Sequence, residues 1–285
     1  MTTPTDSSKA TAPGRMIAVP RPRRTVAVAA GWAIVLFGAL AATPLSASCP
    51  IPERLFVAVS AGATLDGVYV PRNGAVEVSD PPLRLPTPAL HASLALQSLH
   101  VAENDDLYFS THQGFAFGGQ FHPAGRVLRW DGESIQALPP SALDTITAVR
   151  AFSMYGDARF VVPRHDMRLA SGLLVGPRDL VIHTHPDAPE LLIERIGEED
   201  DLPPRVKVEA IAALDEDSLL LAFNSALTIG GGHYRRSDLV RYRRSTRSFE
   251  LACRLTDLSP RWYATSVAGL AVLARPDAVF RDGFE

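Results

Sequence analysis

The sequence predicts an all-β, β-propeller-like fold of about four four-stranded blades, closed by the C-terminal strand and preceded by an N-terminal hydrophobic signal helix. Three observations carry this prediction. A pattern of apolar runs and turn residues recurs every 52 to 59 residues. No segment after residue 50 sustains a 3.6-residue apolar period. The opening strand that the first copy lacks appears after the last copy. Repeats of this size are supersecondary units that cannot bury their faces alone, and four short strands per unit is the propeller pattern.

The stretch 106–131, DLYFSTHQGFAFGGQFHPAGRVLRWD, is the clearest copy. A shift of 112 lays residues 96–130 on 208–242 without a gap, matching Leu107 with Leu219, Gly118-Gly119 with Gly230-Gly231, Arg129 with Arg241 and Trp130 with Tyr242. A shift of 53 brings 149–183 onto the template, with Phe160-Val161-Val162 for Leu107-Tyr108-Phe109 and Gly172 for Gly119. Shifting back by 52 places Leu55-Phe56-Val57 there too, with Gly62 and Gly67 for Gly114 and Gly119. The opener absent from that first copy is SVAGLAVL at 266–273, which matches KVEAIAAL at 207–214.

The resulting organisation is 1–48 as an export segment and 49–285 as one repeat domain. Its repeats fall at about 55–95, 96–148, 149–207 and 208–266, followed by a closing strand at 266–273 and a tail at 274–285. In the second repeat the strands are expected at 96–101, 107–111, 126–130 and 135–138. Glycines between the second and third strands provide positive φ for a tight turn. Two intervals, the proline-rich 78–87 and the acidic 196–205, are expected to project as loops, because proline cannot donate to a ladder. Closure by the last strand removes a sheet edge that would otherwise invite aggregation.

Residues 1–24 are polar and end in the basic run RPRR, and 25–45 is uncharged and mostly apolar. With Ser46 and Ser48 placed for cleavage before Cys49, this reads as an export signal, and Met16 is a plausible alternative start. The same 21 residues are long enough to span a bilayer, so an inner-membrane anchor at 25–45 with its basic flank inside is the alternative. Membrane contact is expected only through this segment, if it is uncleaved. An exported chain whose two cysteines are Cys49 and Cys253 invites a disulfide. Closing about 200 residues would contribute on the order of 5 kcal/mol on loop-entropy arithmetic. A buried free thiol at Cys253 is the alternative.

Residues 49–285 carry 23 basic and 30 acidic side chains, a formal −7. That balance argues against nucleic acid as a partner, since binding it rests on neutralising phosphates. No nucleophile, zinc, phosphate-loop or dinucleotide motif is present, so no catalytic residue, cofactor or metal is assigned. Four weaker candidates remain. His112 and His165 match each other at a shift of 53, with Ser60 and Asn224 in the same slot, and in a closed ring these side chains would converge at one end of the channel. His183 and His185 have a spacing that metal sites use, yet His183 stands where sister copies hold Trp130 and Tyr242, which favours packing. Arg235, Arg236, Arg241, Arg243 and Arg244 form a possible anion patch, or a charged edge that discourages pairing. Paired carboxylates such as Asp105-Asp106 fall at turns, where solvation explains them.

LYFSTHQG at 107–114, SDLVRY at 237–242 and the ending AVFRDGFE at 278–285 resemble exported bacterial β-repeat proteins. The resemblance covers most of 55–285 and implies location and fold rather than an activity. His112 stands where that pattern has Asp. By looser analogy, four blades with cysteines near both ends are similar to a hemopexin-type propeller. The sequence therefore reads as an exported, non-enzymatic binding domain of the cell envelope or exterior, with a protein or glycan surface component as partner. A carbohydrate-active envelope hydrolase is the alternative, because its two carboxylates would meet only in space.

Overall fold

In a propeller, each blade is covered on both faces by its neighbours, so the inner strands should read as near-continuous apolar runs. The computed structural model follows this rule. It describes residues 54–273 except 66, 80–82, 139–141, 186, 189, 198–201 and 259. Residues 1–48, read from the sequence as an export segment, lie outside the described residues, as do Cys49 and the tail.

The first blade contains β1 (Arg54–Val59), β2 (Ala63–Leu65), β3 (Val68–Val70), β4 (Ala75–Glu77) and β5 (Leu83–Leu85). Next come β6 (Leu96–Val101), β7 (Leu107–Thr111), β8 (Phe115–Phe117), β9 (Gln120–His122), β10 (Leu128–Trp130) and β11 (Ile135–Ala137). The third blade holds β12 (Val149–Tyr155), β13 (Ala158–Pro163), β14 (Met167–Arg168), β15 (Leu174–Val175), β16 (Asp179–His183) and β17 (Leu192–Arg195). The fourth holds β18 (Val208–Ala213), β19 (Ser218–Phe223), β20 (Leu227–Ile229), β21 (Gly232–Tyr234), β22 (Asp238–Arg243) and β23 (Ser248–Arg254), and β24 (Val267–Leu273) follows.

Four antiparallel sheets result, ordered β24-β1-β4-β5, β6-β7-β10-β11, β12-β13-β16-β17 and β18-β19-β22-β23. The C-terminal strand is thus the innermost strand of the first blade, pairing Leu55 with Val272 and Val57 with Leu270. Strands β6, β12, β18 and β24 pack in a ring, each against the next.

Side chains alternate between the two faces of a strand, and here they alternate between two interblade cores. Phe109 and Leu99 pack towards the first blade with Phe56 and Leu273, while Tyr108 packs towards the third with Phe152 and Val161. Phe160 and Ile182 meet Leu221 and Tyr242, and Leu220 and Leu239 meet Val57 and Leu270. All six residues of β19 are buried, whereas β17 at a blade rim has none that is.

Four sequence expectations need correcting. The glycine-rich stretches between second and third strands are two-stranded hairpins, β2-β3, β8-β9, β14-β15 and β20-β21. Gly118-Gly119 and Gly230-Gly231 are two-residue loops with positive φ throughout (56° and 79°, 55° and 76°), as a type I′ hairpin turn demands. The interval 78–87 is only partly a loop, because Leu83–Leu85 forms the outer strand of the first blade. Proline is tolerated beside it because β5 is an edge. Within 196–205, Ile196 and Leu202 are buried in the core between the third and fourth blades, so these two residues do not project. Finally, Asp106 is not solvated: it is 5% exposed and pairs with Arg129 at 2.6 Å. Asp179 likewise pairs with Arg195 at 2.6 Å.

Candidate binding site at one mouth of the channel

Each inner strand carries a bulge near its N-terminal end. In β6, Leu96 and Ser98 face Thr111 and Ser110, leaving Gln97 outside the ladder. The same skip omits Arg150 in β12, Glu209 in β18 and Ala268 in β24. A bulge places an extra residue where the ladder cannot hold it and re-aims its side chain. Because the four blades are related around the axis, all four bulged residues line one pocket of about 230 Å³, together with Ser60, Arg72, Ala95, Leu96, His112 and Arg164.

The pocket is polar and cationic. Its lining carries Arg72, Arg150 and Arg164 against one carboxylate, Glu209. Arg150 Nη1 donates to Glu209 Oε2 at 2.5 Å, joining two bulges across neighbouring blades. Arg164 Nη1 donates to the His112 carbonyl oxygen at 3.1 Å. Arg72 Nε, Arg150 Nε and Gln97 Oε1 are buried and have no hydrogen-bond partner among the described residues. Buried polar groups in folded proteins are normally paired, and an unpaired one costs about 1–3 kcal/mol.

His112 Nδ1 accepts the Ala95 N–H at 3.0 Å, so the ring proton of the neutral form sits on Nε2. Burial, with Arg72 and Arg164 nearby, lowers the pKa of this imidazole. Asn224 plays the same part in the fourth blade, its Oδ1 accepting the Lys207 N–H at 2.7 Å.

The backbone fixes which residues are equivalent. The N–H groups of Ser60, His112, Arg164 and Asn224 bond the carbonyls of Ser266, Ala95, Ala148 and Lys207, each just before an inner strand. The third-blade member of the slot is therefore Arg164, and His165 is exposed one residue further on. Thr111 and Pro163 hold the same ladder position, so the second strands match at 52 rather than 53. Ser60 and His112 do line the mouth, and Asn224 lies beside Arg205, its Nδ2 donating to that carbonyl at 3.2 Å.

The other sequence candidates have local roles. His183 pairs with Arg159 as Trp130 does with Leu107 and Tyr242 with Leu219. It is fully buried, its Nε2 2.7 Å from the Ala188 carbonyl oxygen. His185 is exposed, with Asp157 and Asp187 both at 3.7 Å. No group of three or more His, Cys, Asp or Glu side chains among the described residues could hold a metal ion. In the arginine segment, Arg241 and Arg243 approach Glu250 at 3.2 and 3.8 Å. Arg244 grips Glu194 with Nε and Nη2 at 2.9 and 2.5 Å and lies over the Phe160 ring. Arg235 and Arg236 are exposed. Three of the five are thus engaged in ion pairs.

Two further pockets accompany the mouth. One of about 640 Å³ includes the C-terminal ends of the inner strands, with Val101, Met154, Ala213 and Leu273, and Glu103 as its carboxylate. Another of about 450 Å³ lies between the second and third blades, beside Phe121, Leu143 and Phe152, with Asp144 as its carboxylate. No helix among the described residues is long and apolar enough to cross a membrane.

Sequence reasoning missed Arg72, Gln97, Arg150, Arg164 and Glu209. A signal for three of them was present: Gln97, Arg150 and Glu209 share one offset in the repeat, a long polar residue at the second position of each opener.

No protein-family model and no curated protein sequence matches the chain. Among solved structures it is similar to the extracellular domain of a putative hybrid two component system from B. thetaiotaomicron, at 12% identity over 70% of this chain and 23% of that one, with a TM-score of 0.32. A catalytically inactive virginiamycin B lyase from Staphylococcus aureus, with quinupristin, matches at 14% identity over 63% of this chain and 62% of that one, TM-score 0.31. A protein of unknown function from Bacteroides caccae matches at 12% identity over 69% and 71%, TM-score 0.30. The chain spans less than two thirds of the length of the first two of these structures.

Proposed function

We propose that the chain is an exported, non-enzymatic binding domain of the cell envelope or exterior, and that its ligand occupies the polar mouth of the channel. The observation that carries this reading is the convergence of bulged Gln97, Arg150 and Glu209 on one pocket, whose lining holds three arginines against a single carboxylate that Arg150 already engages. The runner-up, a carbohydrate-active hydrolase, needs two carboxylates roughly 5 to 9.5 Å apart across a cleft. The mouth and the two further pockets each have one carboxylate in their lining.

Export rests on the 1–48 segment, with cleavage before Cys49 favoured over an anchor at 25–45. A Cys49–Cys253 disulfide belongs to the same reading. Cys253 is 3% exposed at the end of β23 and packs in the core shared with the first blade, so a bridge to residue 49 would reinforce ring closure. Intact mass of the mature protein tests both: a start at residue 49 and a mass 2 Da below the dithiol support them.

Binding is tested by thermal shift of the full chain against a panel of small sugars, carboxylates and phosphates, beside the double variant Arg150→Met, Glu209→Met. Removing both partners together leaves no orphaned charge. A compound that raises the melting temperature of the parent but not of the variant supports the mouth as the site. A panel that acts equally on both proteins refutes it.

A further inference from the structure

We infer that the face holding the mouth takes a chain of acidic sugars, with one carboxylate-bearing unit at the mouth and its neighbours on two aromatic platforms. This rests on reading the mouth as the binding site. The platforms are Tyr69 and Phe121, each opposite a small residue of its hairpin, Thr64 in β2-β3 and Ala116 in β8-β9. They hold the same place in the repeat, 52 residues apart, and are 53% and 69% exposed. Leu174 and His233 hold that place in the third and fourth blades, so the six-membered rings mark the two neighbouring blades one and two.

Both rings fold back towards the mouth. A Cβ on Gly62 would meet Tyr69 Oη at 2.5 Å, and one on Gly114 would meet Phe121 Cζ at 2.7 Å, so any side chain at either glycine would displace a ring. These glycines stand two residues beyond Ser60 and His112, which line the mouth. Arg72, also in the lining, follows Tyr69 by three residues. Three guanidinium groups face one carboxylate there, so the lining is formally +2, and Arg72, Arg150 and Arg164 are half-buried and keep accessible surface.

A pyranose ring has a face of C–H groups and a rim of hydroxyls. The C–H face covers an exposed aromatic ring while the rim stays hydrated, which suits an open platform. An apolar drug-sized molecule would instead need a pocket that buries about 70–90% of its surface. A carboxylate on the sugar chain answers the cationic lining through the guanidinium fork. The mouth, of about 230 Å³, is smaller than the roughly 300–1,000 Å³ of drug-sized sites, so it takes one unit and leaves the rest of the chain to the platforms. An anionic bilayer fits less well, because rings folded onto Gly62 and Gly114 do not stand out to enter the acyl layer.

Isothermal titration of the full chain with galacturonate, a galacturonate hexamer and the neutral maltohexaose tests the inference. The acidic hexamer is expected to bind about tenfold or more tightly than its monomer, because the platforms add contacts to one tethered chain, and tighter than maltohexaose by a similar factor. Tyr69→Ala and Phe121→Ala, both at exposed positions, are each expected to weaken the acidic hexamer about fivefold and to leave the monomer unchanged. Tyr69→Phe and Phe121→Tyr keep the platforms and are expected to bind the hexamer as the parent does. Arg72→Gln is expected to weaken monomer and hexamer alike and to reduce the salt dependence of both. Phosphatidylglycerol vesicles, in cosedimentation, are expected not to bind.

Equal binding of hexamer and monomer, equal binding of acidic and neutral hexamers, a hexamer indifferent to both alanine variants, or no binding of the acidic hexamer overturns the inference. Vesicle binding that both alanine variants abolish also overturns it and gives the face to a membrane. If the acidic hexamer fails while a panel compound stabilises the parent and not the Arg150→Met, Glu209→Met variant, the mouth remains the site and only the sugar chain falls. If neither the hexamer nor any panel compound separates the two proteins, both readings fall.

Discussion

Gly269→Ala probes ring closure at its tightest point. Gly269 lies in β24 opposite Ala58 of β1, and its neighbour across the interblade seam is Leu99 of β6. A Cβ added at 269 would sit 2.8 Å from Leu99 Cβ, 3.0 Å from Leu99 N and 3.1 Å from the carbonyl carbon of Ser98. Two of these contacts are backbone, so a rotamer change cannot relieve them. Overpacking of this kind costs about 1–3 kcal/mol. For a domain of this size 1 kcal/mol shifts the melting temperature by about 2–4 °C, so a fall of roughly 2–12 °C is expected by differential scanning calorimetry. The sign is diagnostic. If β24 did not pack against β6, the same substitution would restrict the unfolded chain and stabilise the protein by about 0.4–1 kcal/mol. The equivalent positions after the bulges of the other inner strands, Ser98, Ala151 and Ala210, all carry a Cβ, so the register itself admits one. A melting temperature that is unchanged or raised would refute the closure geometry.

Other substitutions test separate parts of the account. Asp238 is fully buried, accepts the Arg235 N–H at 2.9 Å and faces Arg254 at 3.9 Å; Asp238→Ala should cost about 1–3 kcal/mol in denaturant unfolding, through the orphaned amide. Arg244→Lys gives up the two-point grip on Glu194 and should cost about 1 kcal/mol, since the pair is partly exposed, whereas exposed Arg236→Lys should change nothing measurable. Burial holds the His100 imidazole at about 4, against an ordinary 6.5. Its folded pKa is depressed, so between those values the unfolded chain binds the extra proton; the stability contribution is complete above pH 6.5 and is lost as pH falls towards 4, by about 3 kcal/mol at most. Burial lowers His112 and His122 in the same direction. Urea midpoints measured from pH 7 to 4 should therefore fall, and His100→Phe should flatten that slope.

Particular residues show what the sequence made legible. The opening and second strands of the second blade, 96–101 and 107–111, have the limits expected from their apolar runs, and the return of the opener as SVAGLAVL gave away the closing strand. The hairpins were hidden because segments of two or three residues, such as Met167–Arg168, are too short for a period to register. The slot of His112 was misassigned in the third blade because glycine and strand landmarks there differ by one residue, a slip that exchanges Arg164 for His165. The mouth itself was obscured by its own device. In a paired strand, Gln97, Arg150 and Glu209 would each be one of the alternating residues, and only the bulge, a backbone irregularity without its own residue type, turns them to a common point. Arg72 comes from the turn before β4, and nothing local to 71–74 points to the axis.

The central claim, that the mouth is a site built for a ligand, is tested most directly by a crystal structure of the full chain grown with the panel compound that raises its melting temperature most. The account predicts density for one small molecule in the mouth, in contact with Arg72, Arg150 or Arg164 of its lining. A mouth holding only solvent, with the compound bound elsewhere, would contradict it.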